Sequence, residues 1–301
     1  MSTQNVLYDA PGPKAKVRNL LYSVIFVLAV LAVAWFVYDG FAKKGQWAGA
    51  LWKPFAEGTT WTQFLLPGLV KTLEAAALSI VIALPVGALL GIARLSDHKW
   101  IRLPANVVVE FFRAIPVLML MVFAASLYSY YTDISSDTRP LFAAVTGLVL
   151  YNGSVLAEVF RAGILALPKG QTEAASALGL RKSQLLVSIL LPQAITLMLP
   201  AIVSQLVVVL KDTALAGQLT IGYTELIRTS GTITANFGNT IPTLIVVALI
   251  YIALNLLLSA FASWLERRLS RRRKAPRAVG GDGAEPTTLH IPTDLDTGRA
   301  A

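Results

Sequence analysis

Six stretches of this sequence are long, apolar and free of charged residues, and they limit the folds open to the chain. The first, 19–38, reads NLLYSVIFVLAVLAVAWFVY and contains 20 residues, which is enough for an α-helix to cross the roughly 30 Å hydrocarbon core of a bilayer. Backbone N–H and C=O groups cannot remain unpaired in lipid, so each stretch predicts a membrane-spanning helix. The other five stretches are 75–93, 114–132, 140–157, a span within 183–210 and a span within 241–265.

The composition agrees with a protein that lies mostly within a membrane. Charged residues make up 14% of the chain and hydrophobic residues 55%, whereas soluble domains are about one quarter charged. The sequence therefore predicts an all-α integral membrane protein with six transmembrane helices. The apolar run of the first helix is longer than that of a usual signal peptide and no small-x-small cleavage site follows it, so an uncleaved anchor is expected.

Lysine and arginine near the ends of the spans predict the orientation, because these residues accumulate on the cytoplasmic side. With the N-terminus inside, sixteen of them lie on that side and five on the other. Both termini, and the segment Gly170–Pro192 between the fourth and fifth spans, are therefore expected in the cytoplasm. The basic residues lie at span ends without interleaved aromatic residues, so the pattern does not support nucleic-acid binding.

The sequence argues against several kinds of site. It contains no cysteine, so it can form neither a disulfide nor a thiolate metal site. The two histidines are His98, in a basic loop, and His290, in a polar tail, and we expect both to be solvated rather than to bind a metal. The phosphate-binding pattern G-x4-G-K-[ST] does not occur, so the chain is not expected to bind ATP in that way.

The segment Gly170–Pro192, GQTEAASALGLRKSQLLVSILLP, is polar and rich in alanine although it lies between two spans. Thr172 can cap a short helix and would place Glu173 in the first turn, where the helix dipole favours a carboxylate. Gly179 lies where a left-handed residue would end that helix, and Ser183 can begin a second helix. The segment therefore predicts a helix–turn–helix bracket attached to the fourth and fifth spans.

This bracket fits the pattern E-A-A-x3-G-x9-I-x-L-P at every fixed position. It thereby resembles the EAA loop of the permease subunits of ATP-binding-cassette importers, in which the loop forms a coupling helix that docks into the ATPase subunit. A second E-A-A, at Glu74, has Ile80 instead of glycine six residues later, so the tripeptide alone is weak evidence. The resemblance assigns ATPase coupling to six residues: Glu173, Ala174, Ala175, Gly179, Leu191 and Pro192.

Further stretches resemble the branch of that family that transports polar amino acids. They include NGSVLAEVFRAGILALPKGQTEAASALG and LVVVLKDTALAG, and the likeness as a whole is to the permeases of the glutamate type. It covers about residues 64–265 and implies a five-helix permease core to which the helix 19–38 is an addition. The expected regions are 1–18, a cytoplasmic N-terminus; 19–63, the first helix with an extracytoplasmic interfacial loop; 64–265, the permease; and 266–301, a basic and then disordered cytoplasmic tail.

The resemblance also implies partners. A cytoplasmic ATPase dimer would bind ATP and Mg²⁺, an extracytoplasmic binding protein would deliver the amino acid, and a second permease subunit, identical or homologous, would complete the path. The chain itself would bind no cofactor and no metal and would catalyse no reaction.

Two alternatives to an importer are open. A self-contained secondary transporter or channel would predict an inverted repeat and ionisable groups at the membrane midplane, whereas the clearest charges here lie at span ends. A membrane scaffold without transport activity would give the bracket a partner but would leave the polar face of the fourth span without a purpose.

Two charged pairs near span ends are candidates for the substrate pathway or its gate. The residues of Glu110–Arg113 and of Glu158–Arg161 are three apart, so each pair shares a helix face and can form an ion pair. A structural or gating ion pair and direct contact with substrate are both open interpretations. For an anionic substrate Arg161 is the better candidate, because arginine can bind a carboxylate with two hydrogen bonds.

Four further polar residues lie in or beside the fourth and fifth spans. Asn152 and Ser154 interrupt the apolar fourth span, where they either join helices or line a translocation path. Lys211 and Asp212 are expected to close the fifth span on the outside, as a helix-end cluster or part of an outer gate.

The connections outside the spans carry weaker signals. The tryptophans of residues 39–63 suit a helix at the membrane interface. In the connection 213–239, the stretch AGQLTIGYTELI has a short helical pattern and is expected to dip back into the protein. Beyond Pro276 the tail is polar and low in aromatic residues, which is typical of disorder.

Overall fold

A computed structural model describes residues 12–218 and 222–271 of the chain. Every regular element in these two ranges is helical, which confirms the predicted all-α fold. The helices are α1 (Pro13–Lys43), α2 (Lys53–Ala56), α3 (Gly58–Thr60), α4 (Leu66–Ala93), α5 (Lys99–Ala114), α6 (Val117–Tyr131), α7 (Arg139–Leu165), α8 (Lys169–Ala177), α9 (Lys182–Gln184), α10 (Leu191–Ala216), α11 (Leu226–Phe237) and α12 (Thr240–Arg271). Short π-helical segments, Trp61–Leu65 and Leu185–Leu190, join α3 to α4 and α9 to α10 without a break.

Within the described ranges, five continuous helical segments are long and apolar enough to cross a membrane. They are Pro13–Lys43, Gly58–Ala93, Arg139–Leu165, Lys182–Ala216 and Thr240–Trp264. The bent pair α5 and α6 makes a sixth span if the two are counted together. Five of the six predicted spans are therefore single helical segments, and the sixth corresponds only to this bent pair of shorter helices.

The third predicted span, 114–132, is the one that differs. Its helix is broken at Ile115–Pro116, and the axes of α5 and α6 meet at 103°. The break follows from the proline, because the residue before a proline is pushed out of the α region, and Ile115 has the extended angles φ −92° and ψ 132°. His98 lies in the connection between α4 and α5 as predicted, and α5 begins directly after it at Lys99.

Helix α7 forms the centre of the bundle and packs against α4, α6 and α10. In its most apolar 18-residue window, 61% of the residues are buried, against none in α1. Small residues let the backbones approach closely, as is usual between membrane helices. A Cβ on Gly87 of α4 would lie 2.6 Å from the Cβ of Leu156, and one on Gly91 would lie 2.8 Å from the carbonyl oxygen of Ala157.

Among the glycines of the described residues, Gly147 of α7 makes the closest approach to the backbone of another helix. A Cβ there would lie 2.7 Å from the backbone nitrogen and 2.9 Å from the Cα of Met121, and backbone atoms cannot rotate away. We expect Gly147→Ala to force α6 and α7 apart and to cost about 1–3 kcal/mol of stability, as overpacking does. Thermal unfolding in detergent measures this as a lower Tm.

Gly231→Ala in α11 is the matched control. No described atom lies within 4 Å of a Cβ built on Gly231, and alanine favours a helix over glycine by about 1 kcal/mol. Its Tm should stay equal or rise. An unchanged Tm for Gly147→Ala would show that α6 can shift at no cost and that it is not held closely against Gly147.

Helix α1 stands apart from the rest of the bundle. It is longer than the predicted 19–38, and no residue of α1, all of which is described, is buried. At its end the ring of Tyr38 stacks on Trp47 with centroids 5.5 Å apart, and Trp47 Nε1 donates to the carbonyl oxygen of Tyr38 at 3.1 Å. The apolar surface of α1 is therefore left for lipid or for another subunit.

The outer connections are helical but differ in detail from the prediction. Of residues 39–63, the first five continue α1, and the rest form the short helical turns Gly49–Leu51, α2 and α3 and the start of the π-helical segment, instead of one interfacial helix. In the connection 213–239 the helix is α11, which begins only near the end of the stretch AGQLTIGYTELI. The predicted return into the protein is found, because Leu226 and Ile233 are buried against α4 and α12. The expected disordered tail and His290 lie outside the described residues.

Candidate functional site

The predicted bracket exists, but its first helix begins earlier than expected. Helix α8 starts at Lys169, directly after Pro168, which has extended backbone angles of φ −57° and ψ 130°. Thr172 is therefore inside the helix rather than its cap, and its carbonyl oxygen accepts from Ser176 Oγ at 2.8 Å. Glu173 consequently lies beyond the first turn, and both predictions about the start of this helix were wrong.

The end of α8 is as predicted. Gly179 has φ +74°, a left-handed conformation that costs glycine little and other residues more. This turn lets Leu180 N donate to the carbonyl oxygen of Ala175 at 3.1 Å, and Gly179 N to that of Ser176 at 3.0 Å. Backbone carbonyls at the helix end are thereby satisfied. Among the described residues, no atom lies within 4 Å of a Cβ built on Gly179, so the turn is open on its outer side.

The second arm of the bracket leads directly into a span. It begins at Lys182, one residue before the predicted Ser183, and the side chain of Gln184 accepts from Arg181 N at 3.0 Å. The next segment buries Leu185, Leu186 and Leu190 against α7. Leu191 and Pro192 are then the first two residues of α10, at the point where the π-helical segment passes into the α-helix.

The six residues assigned to coupling are thus held at one end of the bundle, here called the α8 end. Glu173, Ala174 and Gly179 are exposed, whereas Ala175 is 4% exposed and anchors α8 to the core. Leu178 between them is 82% exposed. The outer face of α8 therefore presents small side chains and one large apolar side chain, which suits a short helix that fits into the cleft of another protein.

An ion-pair cluster, here called the Arg94 cluster, lies near the α8 end. The predicted pair within α7 forms, since Arg161 Nη2 and Nε donate to Glu158 at 2.6 and 3.1 Å. Arg94, at the end of α4, was missed by the sequence analysis, yet its Nη1 also donates to Glu158, at 2.8 Å. The second predicted pair is looser, with 3.5 Å between Arg113 Nη1 and Glu110 Oε1.

Arg94 is the member of this cluster that joins three helices. Its Nη2 donates to Glu110 at 2.9 Å and its Nε to Asn106 Oδ1 at 2.7 Å, both in α5. The Arg94 side chain is only 8% exposed, and its guanidinium can be buried because each of its three nitrogen atoms donates a hydrogen bond to an acceptor. The cluster therefore ties α5 to the ends of α4 and α7.

A second polar cluster, here called the Asn152 cluster, lies farther from the α8 end. Asn152 is fully buried; its Oδ1 accepts from Gln205 Nε2 of α10 at 2.6 Å and its Nδ2 donates to the carbonyl oxygen of Leu148 at 3.0 Å, with the Asp212 carboxylate beside it. Asn152 therefore joins helices, one of the two roles predicted for it. Ser154 donates instead to the carbonyl oxygen of Leu150 in its own helix, at 2.8 Å.

Two further details of the Asn152 cluster differ from the prediction. Lys211 and Asp212 do not close the fifth span, because α10 continues to Ala216. Gln205 was not singled out, since an isolated glutamine in an apolar helix gives no sign of its partner. Asp212 is half-buried and Lys211 is exposed.

The cap of α11 is a buried carboxylate that the sequence analysis also missed. Glu225 is fully buried, and its two oxygens accept from Ile227 N and Arg228 N, both at 2.7 Å, and from the Tyr251 hydroxyl at 2.8 Å. Burial raises the pKa of Glu225, which these N–H donors oppose. Gly217 makes room for it, since a Cβ there would lie 1.7 Å from Glu225 Oε1. Glutamate is not among the favoured N-cap residues, so the sequence pattern did not predict this cap.

The connection between α4 and α5 contacts the bracket. Lys182 Nζ forms an ion pair with Asp97 Oδ1, and this hydrogen bond lowers the pKa of the Asp97 carboxyl below its usual value. Among residues 12–218 and 222–271, no group of three or more His, Cys, Asp or Glu side chains lies close enough to hold a metal ion.

Comparison with known proteins gives one family. The family described as "Binding-protein-dependent transport system inner membrane component" matches residues 83–271. That range begins within α4 and ends with α12, so it includes the bracket, the Arg94 cluster and the Asn152 cluster.

Individual relatives and solved structures agree. The glutamate transport system permease protein GluD of Corynebacterium glutamicum is 46% identical over 244 residues, 81% of this chain and 88% of the relative. The probable glutamine ABC transporter permease protein GlnP of Bacillus subtilis is 34% identical over 208 residues, 68% of this chain and 93% of the relative. A crystal structure of an amino acid ABC transporter with histidines matches with a TM-score of 0.61 at 29% identity, covering 71% of this chain and 98% of that chain. The predicted family resemblance is confirmed.

Proposed function

Because the chain belongs to the family of inner membrane components of binding-protein-dependent transport systems, we propose that it is the permease through which a cell imports glutamate. The class of cargo is supported by the relatives, several of which are named as glutamate or glutamine permeases. ATP binding and hydrolysis take place in a partner ATPase, and this chain carries the path and the coupling contact.

The observation that carries the proposal is the bracket at the α8 end. A short helix with an exposed small face ends at a left-handed glycine and is continuous, through Lys182–Leu190, with α10. A helix attached in this way transmits a push or a pull to two spans at once. Glu173, Ala174, Ala175, Gly179, Leu191 and Pro192 are in our proposal the residues that couple the ATPase to the path.

The orientation and partners follow from the charge pattern and the family. Lysine and arginine are concentrated beside the α8 end, which supports a cytoplasmic location for that end and for both termini. The ATPase dimer, with ATP and Mg²⁺, then docks on α8 from the cytoplasm. A binding protein delivers cargo on the opposite side, and a second permease subunit, identical or homologous, completes the path. The chain itself needs no cofactor and no metal.

The Asn152 cluster suits an amino acid as cargo. A zwitterion presents an ammonium and a carboxylate, and Asp212 can accept from the first while the amide of Gln205, which Asn152 holds in place, can bind the second. The Arg94 cluster suits a gate better than a binding site, because Arg161 already uses Nε and Nη2 on Glu158. We therefore propose that cargo meets the Asn152 cluster first and that Glu158 and Arg161 control its exit.

The test is reconstitution of the complete complex in liposomes, with the ATPase, the binding protein and any second permease subunit. We expect uptake of labelled glutamate that requires both ATP and the binding protein. Uptake driven by an ion gradient without ATP would overturn this proposal and would support a self-contained secondary transporter instead. ATP-coupled uptake of another amino acid would overturn only the assignment of glutamate.

A further inference from the structure

A half-open cavity lies between part of α8 and the spans behind it. Its volume is about 540 Å³, and its apolar walls include Ile164 and Leu186, while Thr172 and Ser176 of α8 line the opposite side. Within α8, which is described throughout, Ala175 alone is buried. An element with few buried contacts moves at a low free-energy cost, and the cavity gives α8 room to shift. Its movement is then transmitted to the spans mainly through the contacts that hold the bracket to the rest of the protein.

One such fastening is the ion pair between Lys182 and Asp97. The two residues are 85 positions apart in the sequence, so the pair joins the bracket to a separate part of the chain, the connection between α4 and α5. Both side chains lie on the rim of the α8 cavity and also line a groove of about 410 Å³ on the other side. The ion pair therefore lies between the α8 cavity and this groove.

The connection that contains Asp97 is linked to α5 on both sides of that residue. Three residues before Asp97 is Arg94, which donates to Glu110 and Asn106 of α5, and two residues after it α5 begins at Lys99. The 103° break after α5 separates it from α6, so α5 can turn without carrying α6 with it. A displacement of Asp97 must then shift the start of α5, the Arg94 guanidinium, or both.

We infer that the Asp97–Lys182 ion pair is a second transmission contact, which carries movement of the coupling helix to α5 and the Arg94 cluster. This inference rests on the proposed function, since it takes α8 as the helix that the ATPase moves. The Asp97 and Lys182 side chains are 69% and 46% exposed, and exposed pairs are weak, which suits a contact that forms and breaks in every cycle. Both are positioning residues, because they act on α5 and not on the cargo.

The test reverses each charge in the complete complex in liposomes. Asp97→Lys and Lys182→Asp should each lower the uptake per ATP hydrolysed by about two- to fivefold, the range expected of an exposed pair. The double variant should restore most of that ratio, because opposite charges again face each other. Copurification of the ATPase should be unchanged in Asp97→Lys, since Asp97 lies outside Gly170–Pro192.

Asp39 and Lys43 of α1 provide the matched control. They form an ion pair of 2.6 Å with 42% and 75% of their side chains exposed, but they lie far from α8 in the sequence and in the fold. Reversal of either charge should leave the ratio of uptake to hydrolysis at the wild-type value.

A second readout follows α5 itself. The chain has no cysteine, so spin labels can be placed on Val107→Cys in α5 and Leu165→Cys in α7, both at exposed positions. ATP binding should change the distance between the labels in the otherwise wild-type chain. Asp97→Lys should remove most of that change.

Three outcomes decide the matter. If both single reversals keep the wild-type ratio, or if the double variant fails to restore it, the transmission contact is overturned. If Gly179→Asp uncouples transport while the Asp97 variants do not, the proposed coupling function stands and this inference alone fails. If Gly179→Asp transports normally, the coupling function of α8 fails, and this inference fails with it.

Discussion

Gly179→Asp is expected to lower ATP-coupled uptake at least about tenfold while the permease still inserts into the membrane. Gly179 has φ +74°, where a side chain costs about 1–3 kcal/mol, and the new carboxylate would enter the surface that docks on the ATPase. An unpaired charge buried in an interface costs about 2–5 kcal/mol, and about 1.4 kcal/mol already corresponds to a factor of ten. Uptake of labelled glutamate and ATP hydrolysis, both in liposomes, measure the effect.

Two further variants identify the cause. Gly170→Asp adds the same charge to the same helix at a position that is also open, without a left-handed backbone and outside the six coupling residues, and should keep clearly more transport than Gly179→Asp. Gly179→Ala adds strain without charge and should fall between the two. Wild-type transport by Gly179→Asp would mean that α8 is not the coupling helix.

The second large effect is expected at Asp212. Its carboxylate is half-buried in α10 beside Asn152, at the place where we propose that the ammonium of the cargo binds. A hydrogen bond to a charged group contributes about 1.5–3 kcal/mol, so Asp212→Asn should raise the KM for uptake by about ten- to a hundredfold. Uptake measured over a range of cargo concentrations, with binding protein and ATP in excess, gives this value.

Asp137→Asn is the control for Asp212→Asn. Asp137 is exposed in the connection before α7, at the same end of the bundle as the end of α10. The substitution Asp137→Asn therefore removes an equal charge from the same side of the protein. Its KM should not change. If Asp212→Asn keeps the wild-type KM, Asp212 has a role in helix packing only and the proposed cargo site is wrong.

The spans and the bracket were predictable because they follow from local rules. The length of an apolar stretch decides whether it can cross a bilayer, and an internal glycine after an alanine-rich helix predicts a left-handed end, which Gly179 confirms. The same rules gave wrong boundaries where two signals compete. Thr172 looked like a cap, but Pro168 lies earlier and is where α8 begins.

The break in the third span shows a different limit. Residues 114–132 contain no charge, so hydropathy alone predicts one continuous helix. Pro116 was visible in the sequence, but prolines at 85 and 200 lie within helices that continue through them. Whether a proline breaks a helix depends on whether neighbouring elements can pair the freed backbone groups, and that is a property of the packed bundle.

The sequence by itself determined the membrane class, five of the spans and the helix–turn–helix bracket, since hydrophobic length and backbone preference act over a few residues. Only the tertiary structure decided the partners of the polar groups. Arg94 and Glu158 are 64 positions apart, Asn152 and Gln205 are 53 apart, and Asp97 and Lys182 are 85 apart. A charged or amide side chain near a span end can reach water or a partner equally well. The choice between them is made by which helices pack together.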